Sequence, residues 1–370
     1  MTTINYLTRI EFDEGLAARL PDFCRELGMA RPLLVTDAGL TSLGLTARIA
    51  GLFADPPPVY DGTPANPTEA AVLEALARYK AEGCDGVLAV GGGSSLDLAK
   101  AVRLLAVHEP PLARYAAVEG GVARIAGPLP PMIAAPTTAG TGSEVGRGAV
   151  IIMADGRKLG VLSPLLLPSI AVCDPELTYG LPPLLTAATG MDALAHCLET
   201  FMAPAVNPPA DAIALEGLAR GYGAIRRAVA DGRDRQARWD MMMAAMEGAM
   251  AFQKGLGAVH ALSHPLGALK GLTLHHGTLN AVLLPAVLRF NRDVIGGKWQ
   301  RMEQVLGGAP DARIAALNRD LGLPEGLSAM GVTEAQLPVI AEAAMKDHCH
   351  ATNPRRASEA EYLALLHAAF

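Results

Sequence analysis

The sequence predicts an α/β domain with a mostly parallel sheet over residues 1–180, followed by an all-α domain over residues 181–370. Three observations carry this. Up to residue 174, short apolar runs alternate with helical patterns, as a sheet built from βαβ units requires. From DPELTYGLPP (174–183) onward, strand patterns stop and amphipathic helices punctuated by Pro and Gly take over, with Pro182 and Pro183 as the boundary. The chain of 370 residues, 51% hydrophobic and 18% charged, is long and apolar enough for two cores.

YLTRIE (6–11) reads as an edge strand, followed by a helix from about Gly15 to Leu27. RPLLVT (31–36) is an apolar strand ending at Asp37, a second helix follows, and PVY (58–60) is a further strand. The stretch starting at Asn66 places Val72, Leu73, Leu76 and Tyr79 on one helical face. GVLAV (86–90) then runs into GGGSSLDLAK. PMIAAP, GAVIIM (148–153), KLGV and SIAVCD (169–174) complete the strand-bearing half.

Gly91, Gly92 and Gly93 stand between a strand and a helix, where backbone N–H groups can close on a phosphate at the helix's positive end. The pattern is neither GxGxxG nor GxxxxGK[ST]. Ser94 and Asp97 also have capping-box spacing, so a tight turn with a capped helix is the alternative. Asp37 closes a strand where a carboxylate can hold an adenosine ribose, or it is a turn residue. It precedes the glycines, whereas the Rossmann acid follows them, so a nucleotide fold here needs another strand order. Thr137, Thr138, Thr141 and Ser143 form a hydroxyl-rich loop able to donate to phosphate, ribose or carboxamide groups, or an ordinary polar turn.

Residues 255–277 hold four of the nine histidines: His260, His264, His275 and His276. His260 and His264 are four apart and share a helical face; Asp192 and His196 in GMDALAHCLE repeat the spacing. Imidazole and carboxylate donors suit a borderline divalent cation such as Fe(II) or Zn(II). Met241, Met242, Met243, Met246 and Met250 read as core filling.

A net charge of −6 and scattered basic residues argue against a nucleic-acid partner. Five cysteines form no CxxC pair, as in a reducing compartment. The first residues lack basic and apolar signal-peptide regions, and prolines interrupt the apolar runs before a membrane span is reached. The expectation is a cytoplasmic protein that is not membrane-bound.

The order GGGSSLDLAK, APTTAGTGSEV, GMDALAHCLE and VHALSHPLG…HHG resembles the iron-containing (group III) alcohol dehydrogenase family, from about residue 30 to beyond 290. The resemblance implies an N-terminal dinucleotide-binding α/β domain, an all-helical C-terminal domain, an active site in the cleft between them, and a homodimer. It implies that Asp192, His196, His260 and His276 bind the metal, Fe(II) or Zn(II), and that His264 lies near the nicotinamide and substrate, where it is the candidate proton relay. Gly91, Gly92, Gly93, Ser94 and Asp97 would hold the pyrophosphate. Thr137, Thr138, Thr141 and Ser143 would line the nicotinamide half, and Asp37 the adenosine ribose, favouring NAD over NADP. The implied reaction is metal-dependent hydride transfer between a small alcohol and NAD, reversible to aldehyde or ketone reduction.

One departure is a twelve-residue offset from His264 to His276, where most relatives have ten. It makes His275 a competing ligand, with His276 favoured because it directly precedes Gly277. Arg355 and Arg356 in KDHCHATNPRR suggest a fork for a carboxylated substrate such as 4-hydroxybutyrate, or a surface turn. Maleylacetate reductases, glycerol dehydrogenases and 3-dehydroquinate synthases are the related alternatives.

Overall fold

The computed structural model describes residues 8–370. Tyr6 and Leu7, the start of the expected edge strand, and the N-terminal segment before them lie outside the described residues. The chain forms two compact units: residues 8–138 with 142–179, and residues 180–370 with the short segment 139–141.

In the first unit, six strands run parallel in the order β1-β8-β5-β4-β2-β3. They are β1 (Arg9–Phe12), β2 (Pro32–Val35), β3 (Val59–Tyr60), β4 (Gly86–Gly91), β5 (Met132–Pro136) and β8 (Ile170–Cys173). The remaining pair, β6 (Gly148–Ile152) and β7 (Lys158–Leu162), forms a separate antiparallel ribbon. The central strands are buried on both faces, and their alternate residues feed two cores. Leu33, Val35, Val87, Ala89, Met132 and Ala134 enter one. Leu34, Leu88, Val90, Ile133, Ala135 and Val172 enter the other. This period-two division explains why these runs read as continuously apolar.

Helices α1 (Leu20–Glu26), α2 (Ala38–Ser42), α3 (Leu45–Ala50), α4 (Glu69–Ala81) and α5 (Gly93–Leu105) connect the strands. The single helix expected after β2 is broken into two by Gly44, which adopts a left-handed conformation at φ 76°. The strand order places the site. The chain passes outward from β2 to β3, then returns across β2 to β4, so the connections diverge between β2 and β4. In open parallel sheets, ligands bind outside the carboxyl ends of the strands at such a switch point. Asp37 and the glycines Gly91 to Gly93 follow those two strands.

The second unit contains α6 (Pro183–Met202), α7 (Pro208–Ala230), α8 (Arg235–Ala251), α9 (Ala258–Gly267), α10 (His276–Asn291), α11 (Gly297–Leu306), α12 (Pro310–Asp320), α13 (Leu337–Met345) and α14 (Glu359–Ala368). Helix α6 is buried along nearly all of its second half. Glycines set its neighbours close: a Cβ on Gly190 would lie 2.8 Å from side chains of Ile225 and Met241, and one on Gly217 would lie 2.9 Å from Cys197 Sγ. Met241, Met242 and Met246 are buried in this packing, as core filling requires. Among the described residues, no helix is long and apolar enough to cross a membrane.

Candidate functional site

Helix α6 presents Asp192, His196 and Glu199 at positions i, i+4 and i+7, one continuous face. Helix α9 brings His260, and α10 brings His276 in its first turn and Asn280 one turn later. Asp192 Oδ1 lies 3.7 Å from Nε2 of each of His196, His260 and His276. The Nε2 atoms of His196 and His260 are 3.0 Å apart. Donors that share one tetrahedral cation at ordinary bond lengths stand about 3.4 Å apart, so these separations suit a single ion.

The surroundings also favour a positive charge. Glu199 Oε2 accepts from His260 Nδ1 at 2.6 Å, turning Nε2 toward the other donors. Its other oxygen accepts from the Val259 amide at 2.7 Å, in the first turn of α9, so one carboxylate fixes both the ring and the helix carrying it. Burial pushes the His196 imidazole down to about 4, which keeps it neutral and ready to donate a lone pair. His260 behaves oppositely: against the pull of burial, Asp192 and Glu199 raise it to about 9. The two carboxylates thus favour positive charge at His260, a charge that a divalent cation would supply. The donor set fits Fe(II) or Zn(II).

The geometry separates His275 from His276. His275 is the exposed N-cap residue of α10, whereas His276 reaches Asp192. Gly277 is the reason. A Cβ there would sit 2.1 Å from the Ala188 carbonyl oxygen and 3.3 Å from Asp192 Cβ, so only glycine lets α10 approach α6 this closely. Asn280, fully buried, donates from Nδ2 to Asp192 Oδ1 at 2.7 Å, with the same nitrogen 3.2 Å from Nε2 of both His260 and His276.

His264 lies beside this set. Its ring stacks on His276, with centroids 5.6 Å apart, and on His348 at 5.5 Å. Nδ1 is 2.9 Å from Asp347 Oδ2, which fixes the tautomer and leaves Nε2 as the acceptor. Asp347, His348 and Cys349 gather here, with Cys349 Sγ 3.4 Å from His348 Nε2.

In the α/β unit, Asp37 Oδ1 accepts from the Leu40 amide at 3.0 Å, capping α2 at the end of β2. A Cβ on Gly91 would lie 2.5 Å from Ser95 Oγ and 3.7 Å from Asp37 Oδ2, and one on Gly92 would lie 3.3 Å from the Thr138 methyl. Asp37, Gly91 to Gly93 and Thr138 are thus neighbours, and the Thr137 amide donates to the Gly91 carbonyl at 3.0 Å.

The alternative capping box of Ser94 and Asp97 does not form. The N-cap of α5 is Gly92, with no side-chain cap; Ser94 Oγ instead donates to the Ala65 carbonyl at 2.6 Å. Asp97 accepts from Ser143 Oγ at 2.6 Å and from the Val150 amide at 2.9 Å, and buried Lys100 donates to Ser143 Oγ and to the carbonyls of Gly146 and Gly148. The side chains of Asp97 and Ser143 are therefore engaged with each other behind the loop, while the first turn of α5 keeps its amides uncapped. Thr141 belongs to the segment that packs with the helical unit, where a Cβ on Gly140 would meet Thr189 at 2.8 Å.

Of the candidate Arg fork, Arg355 is engaged within its own unit. Arg355 bonds Glu361 at 2.5 Å and stacks over Phe290 at 4.2 Å, and His350 meets the Tyr362 hydroxyl at 2.9 Å. Sequence reading missed Glu199, Asn280 and Asp347. The first two were legible as the next turns of the helical faces bearing His196 and His276, whereas Asp347 carried no local signal.

Residues 8–175 match the family model described as iron-containing alcohol dehydrogenase, and residues 186–370 match that of the family's C-terminal region. The chain is 57% identical to a 4-hydroxybutyrate dehydrogenase of Cupriavidus necator, over 99% of each chain. It is 38% identical to a 1,3-propanediol dehydrogenase of Klebsiella pneumoniae, over 94% of this chain and 93% of that one. Among solved structures, a 1,3-propanediol oxidoreductase superposes with a TM-score of 0.94 at 36% identity, covering 100% of both chains. A sulfoacetaldehyde reductase from Bifidobacterium kashiwanohense, in complex with NAD+, gives 0.87 at 27% identity, covering 100% of this chain and 99% of that one.

Proposed function

The chain belongs to the iron-containing alcohol dehydrogenase family, and from that premise we propose that it oxidises 4-hydroxybutyrate to the corresponding semialdehyde, with NAD as hydride acceptor. It is an oxidoreductase acting on CH–OH groups, with a small-molecule alcohol as substrate. The convergence of Asp192, His196, His260 and His276, with Glu199 behind them, is the observation that carries the chemistry. The substrate assignment is supported by the 57% identity to a protein named for that acid.

Those four side chains would hold the metal, which we assign as Fe(II). When bound, it supplies a Lewis acid that makes the alcohol proton easier to lose. The protein's own groups do the rest. The uncapped first turn of α5 and the glycines before it hold the pyrophosphate, with Ser94 at its edge and Asp97 and Ser143 bracing the loop from behind. Thr137, Thr138 and Thr141 line the nicotinamide half. Asp37 hydrogen-bonds the adenosine ribose and repels a 2′-phosphate. His264, held by Asp347 with Nε2 free to accept, relays the alcohol proton to solvent. An unchanged pH–rate profile in His264→Ala would remove that role.

The test is kcat/KM with NAD for 4-hydroxybutyrate, 1,3-propanediol and ethanol. The proposal expects 4-hydroxybutyrate to lead. A preference for 1,3-propanediol would reassign the substrate to diols. Absence of net NADH from every alcohol, with NAD still bound, would favour a lyase of the 3-dehydroquinate synthase kind.

A further inference from the structure

We infer that His264, Asp347, His348 and Cys349 form a second cation site, of mixed nitrogen, oxygen and sulfur character, beside the first. Each residue offers one donor atom, and the four atoms lie within 4.8 Å of one another. Within the cluster, His264 Nδ1 is 2.9 Å from Asp347 Oδ2 and Cys349 Sγ is 3.4 Å from His348 Nε2, the imidazole nitrogen that would face the ion. Donors sharing one tetrahedral ion stand about 3.4–3.8 Å apart, so the four side chains would draw together around it. Cys349 is one of the chain's free thiols and is buried, while His348 keeps about a quarter of its side chain exposed, which gives an ion a way in.

A His–Asp pair alone would account for His264 and Asp347. The Cys349 amide donates to Asp347 Oδ1 at 2.7 Å, and this local turn brings an imidazole and a thiol beside the same carboxylate. Two imidazoles, a carboxylate and a thiol are the donors that Zn(II) and Co(II) take in closed four-coordinate sites. Binding would move the His264 Nδ1 proton to Nε2 and release the Cys349 thiol proton to solvent, so affinity rises with pH. None of Asp347, His348 and Cys349 belongs to the first donor set. Filling the second site would nevertheless take His264 from Asp347, and excess Zn(II) would therefore inhibit the enzyme through His264.

Cobalt separates the two sites, because only the second contains sulfur. The metal-stripped full-length chain is titrated with Co(II) under anaerobic conditions and followed by absorption and by bound metal per chain. The expected result is visible d–d absorption with the first equivalent, then a thiolate-to-cobalt charge-transfer band in the near ultraviolet with a second. In Cys349→Ser the charge-transfer band disappears. In His348→Ala the second equivalent binds at least about tenfold more weakly, and the d–d absorption persists in both variants. A single equivalent in the wild type, with no charge-transfer band up to excess Co(II), would overturn the second site while leaving the first standing. If the variants fold poorly, the wild-type titration alone decides between these results.

Discussion

Glu199 is not among the four proposed ligands, yet it holds the His260 ring and the start of α9 through two short hydrogen bonds. Glu199→Gln should therefore lower cation affinity by about 10–100-fold, measured by competition with a chelator; an unchanged affinity would show that the ring orients itself. Asp37 has two separable functions. Its carboxylate caps α2 and its charge would face the ribose. Asp37→Ser keeps a capping oxygen and removes the charge, so it should raise kcat/KM with NADP relative to NAD at little cost in stability. Asp37→Ala should do the same while losing about 1 kcal/mol with the cap. Equal use of NAD and NADP by the wild type would contradict the ribose role. At this scale, spacing within one helix identified Asp192, His196 and His260, but it ranked His264 beside them. Spacing cannot see that α10 enters from another direction and brings His276, the proposed fourth ligand, to Asp192.

At the scale of the element, close approach between helices builds the donor set. Gly277 is the contact between α10 and α6, and a methyl group there would strike the Ala188 carbonyl. Gly277→Ala should destabilise the protein by about 1–3 kcal/mol and push His276 out of the shell. Metal content should then fall along with the unfolding midpoint. His275→Ala should leave metal content unchanged. The sequence carried this element in the His-His-Gly triplet, because glycine directly after a ligand marks a backbone that must come close. At α5 it left two readings open, because Ser94 and Asp97 also fit the local capping pattern. Distant partners claimed them: Ala65 for Ser94, and Ser143 with Val150 for Asp97. A local pattern states a preference, and tertiary hydrogen bonds decide it.

At the scale of the whole molecule, the parallel sheet and its helical companion unit were legible because buried central strands and amphipathic helices have different periods. The separate ribbon of β6 and β7 was not, since strand periodicity does not say which sheet a strand joins. The buried polar network of the α/β unit leaves a signature in global stability. Burial raises the Glu144 carboxyl from 4.5 to about 7. Between those values the folded chain holds a proton that the unfolded chain releases, so stability falls as pH rises through that window. The slope is worth up to about 3 kcal/mol. Denaturant midpoints of the metal-free protein at pH 5 and pH 7 should therefore converge in Glu144→Gln relative to the wild type. Parallel behaviour of the two proteins would place the slope elsewhere.

The central claim is that Asp192, His196, His260 and His276 hold a cation without which hydride does not pass from the alcohol to NAD. The most direct measurement is NADH formation from 4-hydroxybutyrate by anaerobically purified protein, first stripped with chelator and then restored with Fe(II) or Zn(II). The account predicts loss of turnover on stripping, recovery with the cation, and no recovery in His276→Ala. Turnover that survives stripping, or that Fe(II) and Zn(II) restore equally well in His276→Ala, would contradict it.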